Sequence, residues 1–124
     1  MKKMVVLTLL AISIYSVGAS SATLKTGPVA AAKPPGITNR GIRCVAQNFS
    51  PKPVSVLGQV VGGDGAVLFE KTISLESEHT DYVQSIYGGS GFRYCRFAVA
   101  NKNLVKAWLE VEDDSSTSVV LEAK

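Results

Sequence analysis

The sequence is poor in the side chains that carry catalysis. It holds one histidine, one tryptophan and two cysteines among 124 residues. His79 lies in a polar stretch with Glu76, Glu78 and Asp81, and no Gly-x-Ser-x-Gly or similar nucleophile setting accompanies it. We therefore expect a solvated loop histidine and a protein that is not an enzyme. A small hydrolase ranks last among the function classes.

Metal-binding patterns are equally weak. If both cysteines form a disulfide, no histidine and cysteine set for zinc can be assembled. The densest acidic cluster is Glu110, Glu112, Asp113 and Asp114, whose oxygen atoms are of the type that calcium prefers. Glu110 and Glu112 share one face of a predicted strand, whereas the aspartates begin a turn. A polar strand face followed by a turn is the favoured interpretation, so we predict no metal and no cofactor.

Only one long apolar run is present, at the N-terminus. Residues 4–15 are apolar, follow two lysines, and precede small residues that end at Ala19 and again at Ala22. This order is typical of a secretory signal peptide, which we assign to residues 1–22 with cleavage after Ala19 or Ala22. The run is shorter than the about 20 residues of a spanning helix, so an uncleaved anchor is the weaker alternative. We expect a periplasmic or secreted protein with no membrane span after cleavage.

An excess of positive charge is also missing once the signal peptide is removed. The chain has 13 basic and 10 acidic residues, and cleavage takes Lys2 and Lys3 from the basic set. The remaining basic residues are spread along the chain, whereas nucleic-acid binding needs them on one face. We predict no nucleic-acid partner.

Composition divides the remainder of the chain into two parts. Residues 23–40 contain three prolines and two glycines and show neither the strand nor the helix period, so we predict a flexible arm there. Residues 41–124 alternate apolar and polar side chains in about seven short stretches separated by turn signals. The stretches lie at 42–47, 54–60, 67–75, 80–87, 92–99, 104–112 and around 119–121.

This pattern predicts an all-β domain, a small antiparallel β-sandwich of about seven strands. Cys44 and Cys95 lie on two of its strands. In an oxidising compartment they should form one disulfide, which contributes on the order of 4 kcal/mol by the chain-entropy estimate.

The alternation also predicts one strand register. Cys95, Phe97 and Val99 share a face, and so do Val105, Ala107, Leu109 and Val111 on the following strand. A hairpin through the loop 101–103 would bring these two faces together by pairing Phe97 with Ala107.

The same register places Arg96 opposite Trp108 and Tyr94 opposite Glu110 on the other face. Aromatic residues and arginine are the types that anchor protein interfaces, and an arginine stacked on tryptophan is a cation–π pair. We therefore predict an interaction surface made of Tyr94, Arg96, Trp108 and Glu110. The competing interpretation is that the N-terminal arm or a neighbouring loop covers the tryptophan ring.

Two sequence motifs carry a resemblance. Cys44 in Cys-Val-Ala-Gln-Asn-Phe-Ser, together with Tyr94-Cys95-Arg96, loosely resembles a pair of immunoglobulin strands. The chain departs from that family because no tryptophan lies between the cysteines and the tyrosine directly precedes the second one. It is more similar to small exported single-disulfide proteins of Gram-negative bacteria, mostly uncharacterised, which share Cys-x-x-x-Asn-x-Ser/Thr, an Asp-Gly turn (Asp64-Gly65) and Tyr-Cys-Arg. The resemblance implies an immunoglobulin-like β-sandwich and periplasmic or secreted life, and it brings no activity.

Residues 48–50 formally match the N-glycosylation sequon. Pro51 follows them and the Met-Lys-Lys start is of a bacterial type, so we predict that Asn48 carries no glycan.

These observations predict an exported, non-catalytic β-sandwich protein that acts as an interaction module for an unknown protein or envelope component. The alternative is an inhibitor or accessory subunit of an exported enzyme, with the loop 88–91 as its contact.

Overall fold

The computed structural model describes residues 22–85 and 91–124. Within these ranges the chain forms nine strands and no helix, and hence no helix long and apolar enough to cross a membrane. The strands are β1 (Ala22–Lys25), β2 (Val29–Ala30), β3 (Arg40–Asn48), β4 (Val54–Gly62), β5 (Val67–Leu75), β6 (Thr80–Ser85), β7 (Phe92–Val99), β8 (Val105–Asp113) and β9 (Ser116–Glu122). The predicted signal peptide lies outside the described residues except for Ala22.

The strands pair antiparallel in two sheets, which confirms the predicted all-β sandwich. Sheet 1 has the order β1-β7-β4-β5, with β2 also paired to β7. Sheet 2 has the order β6-β3-β8-β9. The last seven strands coincide closely with the seven predicted stretches, because each has the two-residue alternation of a half-buried strand.

The core lies between the sheets and is crossed by the disulfide. Phe97 of β7 and Leu109 of β8 are fully buried in it. Cys44 of β3 and Cys95 of β7 are joined with a Cα–Cα distance of 5.5 Å and a sequence separation of 51. This bond confirms the predicted pairing and links sheet 2 to sheet 1.

The predicted hairpin between β7 and β8 is wrong. Strand β7 pairs with β1 and β4, and β8 pairs with β3 and β9. Phe97 therefore lies opposite Gly58, and Ala107 lies opposite Ala46. The two apolar faces do meet, but across the core rather than within one sheet. The alternation of apolar and polar residues determines which side chains point inward, but it does not determine which strands pair. Here the connection 100–104 passes from sheet 1 to sheet 2.

The predicted flexible arm is also partly structured. Strands β1 and β2 lie within it and extend sheet 1 along β7. Leu24, Val29 and Ala31 are buried. The edge of β7 that faces away from β4 has backbone N–H and C=O groups that require hydrogen-bond partners. The short strands β1 and β2 provide these partners. Two and four residues are too few for a period to be read from sequence.

Two aspartates hold the rest of the arm. Arg40 donates to Asp113 through Nε at 2.7 Å and NH2 at 2.8 Å, and its NH1 donates to the carbonyl oxygens of Ala30 at 3.1 Å and Ala32 at 3.3 Å. Asp114 accepts the backbone N–H of Asn39 at 2.8 Å. These hydrogen bonds fasten the arm to the end of β8.

The hydrogen bonds from Arg40 lower the pKa of the Asp113 carboxyl below its ordinary value of 3.8, although burial acts in the opposite direction. Ser118 adds a further hydrogen bond to the same carboxylate at 3.0 Å. Asp113 is thus held as an anion although its side chain is largely buried. The guanidinium of Arg40 stabilises this anion because it donates two parallel hydrogen bonds to it.

Asn48 is a structural residue. Its Nδ2 donates to the carbonyl oxygens of Lys52 at 2.8 Å and Leu75 at 3.0 Å, and its Oδ1 accepts from both the N–H and the hydroxyl of Ser50 at 2.8 Å. The side chain is fully buried. The Asn-x-Ser pattern therefore closes the β3–β4 turn, and a glycan at Nδ2 has no room in this fold.

Candidate interaction surfaces

The four residues of the predicted surface lie on opposite sides of the sandwich. Tyr94 and Arg96 belong to β7 in sheet 1, whereas Trp108 and Glu110 belong to β8 in sheet 2. All four alternate with buried neighbours and are half-buried on the outer faces. The face assignment from sequence therefore holds for each strand, but the single surface does not exist because β7 and β8 are not paired.

The outer face of sheet 2 carries a network around Arg43. Its NH2 lies 3.1 Å from Glu110 Oε1 and 3.1 Å from Glu112 Oε2. Its guanidinium lies 5.1 Å from the centre of the Tyr82 ring. The cation–π partner of an arginine on this face is thus Tyr82, and the predicted stacking of Arg96 on Trp108 does not occur.

Trp108 is held by the same network. Its indole N–H donates to Glu110 Oε2 at 2.7 Å. Strands β1 and β2 of the arm pair with β7 of sheet 1, whereas Trp108 lies on β8 of sheet 2. The polar groups of this face mostly satisfy one another, with Arg43 Nε an exception among the described residues. A face whose charges are already paired gains little electrostatic energy from a partner.

The acidic cluster that begins on this face does not form one site. Glu110 and Glu112 bind Arg43, Asp113 binds Arg40, and the Asp114 carboxylate accepts backbone N–H groups. Residues 22–85 and 91–124 contain no group of three or more acidic, histidine or cysteine side chains arranged to hold a metal ion. Each carboxylate already has a protein partner, which is the physical reason that calcium has no vacant ligands here.

The outer face of sheet 1 carries a cleft of about 410 Å³ above β7. On one side it is bounded by the turn that joins β1 to β2, and on the other by the turn that joins β4 to β5. We name it the β7 cleft. The described residues that line it are Lys25, Thr26, Pro28, Gly63, Phe92 and Tyr94.

The charges at one end of the β7 cleft are positive and unpaired. Lys25 has no salt bridge or side-chain hydrogen bond within the described ranges. Arg96, its cross-strand neighbour, donates from Nε to Gln59 Oε1 at 2.8 Å. No described carboxylate lies within ion-pair distance of either cation. Two cations in register on adjacent strands repel each other, so an anion bound between or beside them is favoured.

The hydroxyl group of Thr26, unlike the ammonium of Lys25, already has hydrogen-bond partners within the protein. Its hydroxyl donates to the carbonyl oxygen of Gly27 at 2.9 Å and accepts the N–H of Cys95 at 3.0 Å. These hydrogen bonds hold the β1–β2 turn over β7. The wall of the cleft is therefore built by Thr26, and recognition is left to the rings and to Lys25.

A second cavity of about 500 Å³ lies next to the β7 cleft. The two cavities share Gly63 and Phe92, and the second one reaches Leu68 of β5. Phe92 is 55% exposed and Leu68 is 41% exposed. A Cβ atom on Gly63 would lie 3.6 Å from Phe92 Cβ, an ordinary van der Waals distance, so Gly63 packs directly beside Phe92.

Other residues singled out from sequence lie elsewhere. His79 is exposed in the β5–β6 turn, where its carbonyl oxygen accepts the N–H of Asn48 at 3.1 Å. Residues 86–90 lie outside the described residues, and with them most of the loop 88–91. Gly91, with a φ of +83°, lines the second cavity.

Of the six described residues that line the cleft, sequence reasoning had singled out only Tyr94. Phe92 shares the outward parity of Tyr94 and Arg96 within one predicted strand, so extending that face by one position would have found it. Lys25 carried no usable signal because it lies in the arm. Gly63 was read correctly as a turn residue, but its position beside Phe92 depends on the pairing of β4 with β7.

In comparisons with known proteins, no family model, curated protein or solved structure matches this chain.

Proposed function

We propose that this chain is an exported, non-catalytic binding module that holds a protein partner in the β7 cleft. The observation that carries the proposal is the combination of the exposed Phe92 ring and the half-buried Tyr94 ring with the unpaired ammonium of Lys25 in one concave site. Aromatic side chains in a pocket supply most of the binding energy of protein interfaces. A cation beside them adds orientation and selectivity.

The lining supports recognition rather than group transfer. It offers ring faces, a glycine floor and one ammonium, while the hydroxyl of Thr26 is engaged by backbone groups. The volume of about 410 Å³ lies within the range of about 300–1,000 Å³ that is usual for binding sites.

A protein partner is favoured over a glycan by the scarcity of hydrogen-bonding side chains. A sugar ring presents hydroxyl groups on every edge, and each one needs a donor or acceptor when it is buried. The β7 cleft provides few such partners, whereas an apolar side chain needs only the rings. The proposed site keeps the two residues of the predicted surface that lie on sheet 1. Tyr94 lines the β7 cleft, and Arg96 lies beside Lys25.

Export is supported by the disulfide, because such bonds persist in oxidising compartments. Cleavage after Ala19 would preserve the pairing of Ala22 with Val99 at the start of β1. We therefore favour this cleavage site over cleavage after Ala22, and periplasmic or secreted life for the product.

The test is a crosslinking capture with the oxidised protein starting at Ser20. Envelope and culture-medium fractions of the host would be incubated with the native protein and with Phe92→Ala, and captured proteins identified by mass spectrometry. Phe49→Ala is the matched control, because Phe49 is 49% exposed but lies at the end of β3. Trp108→Ala probes the opposite face.

We expect one protein that is retained by the native chain, by Phe49→Ala and by Trp108→Ala, and lost with Phe92→Ala. Capture that persists in Phe92→Ala, or no capture by the native protein, would overturn the proposal. Loss on Trp108→Ala instead would move the site to sheet 2.

An inhibitor or accessory subunit of an exported enzyme is the second candidate. It is supported by Gly91, the one described residue of the loop 88–91, which lines the cavity beside the β7 cleft. A captured partner that is an enzyme, and whose turnover falls when the native protein is added, would favour this candidate. An unchanged turnover would remove it.

A further inference from the structure

We propose that one end of the sandwich binds the surface of an anionic phospholipid membrane. This end, which we name the basic end, is formed by the turn 49–53, the connection 100–104 and the first two residues of β8. It is a different surface from the β7 cleft, so the proposal does not depend on the proposed function. Unpaired lysines, exposed apolar side chains and the attachment of the predicted signal peptide support it.

Hydrogen bonds hold the two loops of the basic end together. The N–H of Phe49 donates to the carbonyl oxygen of Leu104 at 2.9 Å, and the N–H of Leu104 donates to the carbonyl oxygen of Asn101 at 3.1 Å. In the first loop, Asn48 Nδ2 donates to the carbonyl oxygen of Lys52 at 2.8 Å. Both loops therefore present their side chains from a fixed backbone.

Three lysines of the basic end have no ionic partner. Lys52, Lys102 and Lys106 are exposed, and none of them forms a salt bridge or side-chain hydrogen bond within the described ranges. Lys102 and Lys106 line a cavity of about 380 Å³ together with Phe49. Lys52 lines a second cavity of about 490 Å³, which Leu104 shares. Lysines that are far apart in the sequence are thus brought to one end of the domain.

Few acidic residues oppose these lysines. Glu122 is the one carboxylate among the described residues that line the two cavities. Glu76 and Glu78 belong to the β5–β6 turn, which bonds to Asn48 on the β6 side of β3, whereas Phe49 bonds on the β8 side. The basic end therefore carries a local excess of positive charge, which attracts the phosphate groups of an anionic membrane.

Apolar side chains lie among the lysines. Phe49 is 49% exposed. Pro51 and Pro53 are exposed as well, and together with Leu104 they line the cavity that holds Lys52. At the boundary between phospholipid headgroups and acyl chains, apolar groups leave water while ammonium groups meet phosphates. A ring and short apolar groups that are flanked by lysines match this boundary.

The chain that precedes β1 joins the domain at the same end. Ala22, the first residue of β1, pairs with Val99, and Val99 directly precedes the connection 100–104. The predicted signal peptide, with its apolar run at residues 4–15, is therefore attached at the basic end. A domain held by that segment has this end nearest the bilayer. The attachment favours a membrane over an acidic protein as the occupant.

The test is cosedimentation of the oxidised protein that begins at Ser20 with two kinds of vesicle, phosphatidylcholine alone and equal parts phosphatidylcholine and phosphatidylglycerol. The native protein should bind the anionic vesicles and not the neutral ones, and added salt should weaken binding because it screens the lysines. Combining Lys102→Ala with Lys106→Ala should weaken binding about tenfold or more, because two attractions to the anionic surface are lost. Lys25→Ala, which removes an exposed lysine from the β7 cleft, is the matched control and should bind like the native protein.

The apolar contribution is tested at Phe49. Phe49→Ala should weaken vesicle binding about fivefold, because its exposed ring surface no longer leaves water. Phe92→Ala, which removes a ring of similar exposure from the β7 cleft, should bind like the native protein. Insertion is measured with Phe49→Trp in a Trp108→Phe background, whose emission should shift to shorter wavelength on anionic vesicles. Phe92→Trp in the same background should show no shift. Formation of the disulfide and the melting temperature verify that each variant is folded.

Equal binding to neutral and anionic vesicles, or binding to neither, would overturn the inference. So would unchanged binding when Lys102 and Lys106 are both replaced. If these replacements abolish capture of an acidic protein while vesicles are not bound, the basic end serves a protein and the membrane proposal fails. The proposed function is tested separately, because capture that is lost in Phe92→Ala and kept in Phe49→Ala does not depend on vesicle binding.

Discussion

The two outer faces of this sandwich differ in how their polar groups are satisfied. On sheet 2, Arg43 is held by Glu110, Glu112 and the Tyr82 ring, and the indole of Trp108 is held by Glu110. On sheet 1, Lys25 is unpaired beside exposed Phe92 and a cleft of about 410 Å³. Both faces contain aromatic and charged residues, so composition does not distinguish them.

This difference shows where a partner gains free energy. A ligand on sheet 2 would have to break or bury existing ion pairs, which costs desolvation. A ligand on sheet 1 would supply a missing partner to Lys25 and bury the exposed part of the Phe92 ring. The most conspicuous residue of the sequence, Trp108, therefore lies on the face that is less suited to binding.

The largest expected effect on the free energy of unfolding comes from removing the disulfide that links the two sheets. Replacing both Cys44 and Cys95 by alanine removes the bond between sheet 2 and sheet 1, and we expect a loss of about 4 kcal/mol of unfolding free energy. Chemical denaturation followed by Trp108 fluorescence measures it. A loss below about 1 kcal/mol would mean that the packing of Phe97 and Leu109 suffices to hold the sheets together.

The next effect comes from the ion pair of sheet 2 that fastens the arm. Asp113→Asn removes the anion that Arg40 pairs with, and breaking such a buried pair costs about 3 kcal/mol. The freed arginine also loosens the arm at Ala30 and Ala32. Hydrogen exchange should therefore accelerate in β2 more than in β9. Equal acceleration in both would show that the pair stabilises the whole domain rather than the wall of the cleft.

The same pair predicts a pH dependence. Because the pKa of folded Asp113 lies below the ordinary 3.8, its contribution to stability is complete above about that pH. It is lost as the pH falls through the lower folded value. Thermal melts of the native protein should therefore decline more steeply below pH 3.8 than melts of Asp113→Asn. Parallel curves would assign the decline to other carboxylates.

A smaller effect is expected on sheet 2. Arg43→Gln removes the cation shared by Glu110 and Glu112, and side chains at this level of exposure contribute about 1 kcal/mol. The emission of Trp108 should change, because Glu110 is then free to move with the indole. Capture of the partner should be unaffected. Loss of capture would reverse the comparison between the faces.

The smallest effect on stability should come from Lys25→Ala. An exposed and unpaired lysine contributes within about 0.5 kcal/mol, so the melting temperature should not change measurably. Capture of the partner should nevertheless weaken, because Lys25 lines the β7 cleft. A clear loss of stability would show that Lys25 serves the fold and would weaken its role in recognition.

Much of the fold was predictable because alternation is a local property. Cys95, Phe97 and Val99 were assigned to the core from their spacing, as were Ala107 and Leu109 of β8, and all are buried. The disulfide was predictable from two cysteines together with a predicted signal peptide. The β7–β8 hairpin failed because a loop of a few residues serves equally well to join strands within one sheet or to pass between two.

The sequence by itself determined which side chains face inward and where the turns fall, since both depend on neighbours along the chain. It also determined the disulfide, because the chain has only two cysteines. Only the tertiary structure decided that Trp108 and Tyr94 lie on opposite faces, that the arm completes sheet 1, and that Lys25, Gly63 and Phe92 meet in one cleft. The physical reason is that strand neighbours are chosen by the packing of whole sheets. The β7 cleft is lined by residues 25–28, by Gly63 and by β7. These segments are far apart in the sequence, so no periodicity or motif predicts that they meet.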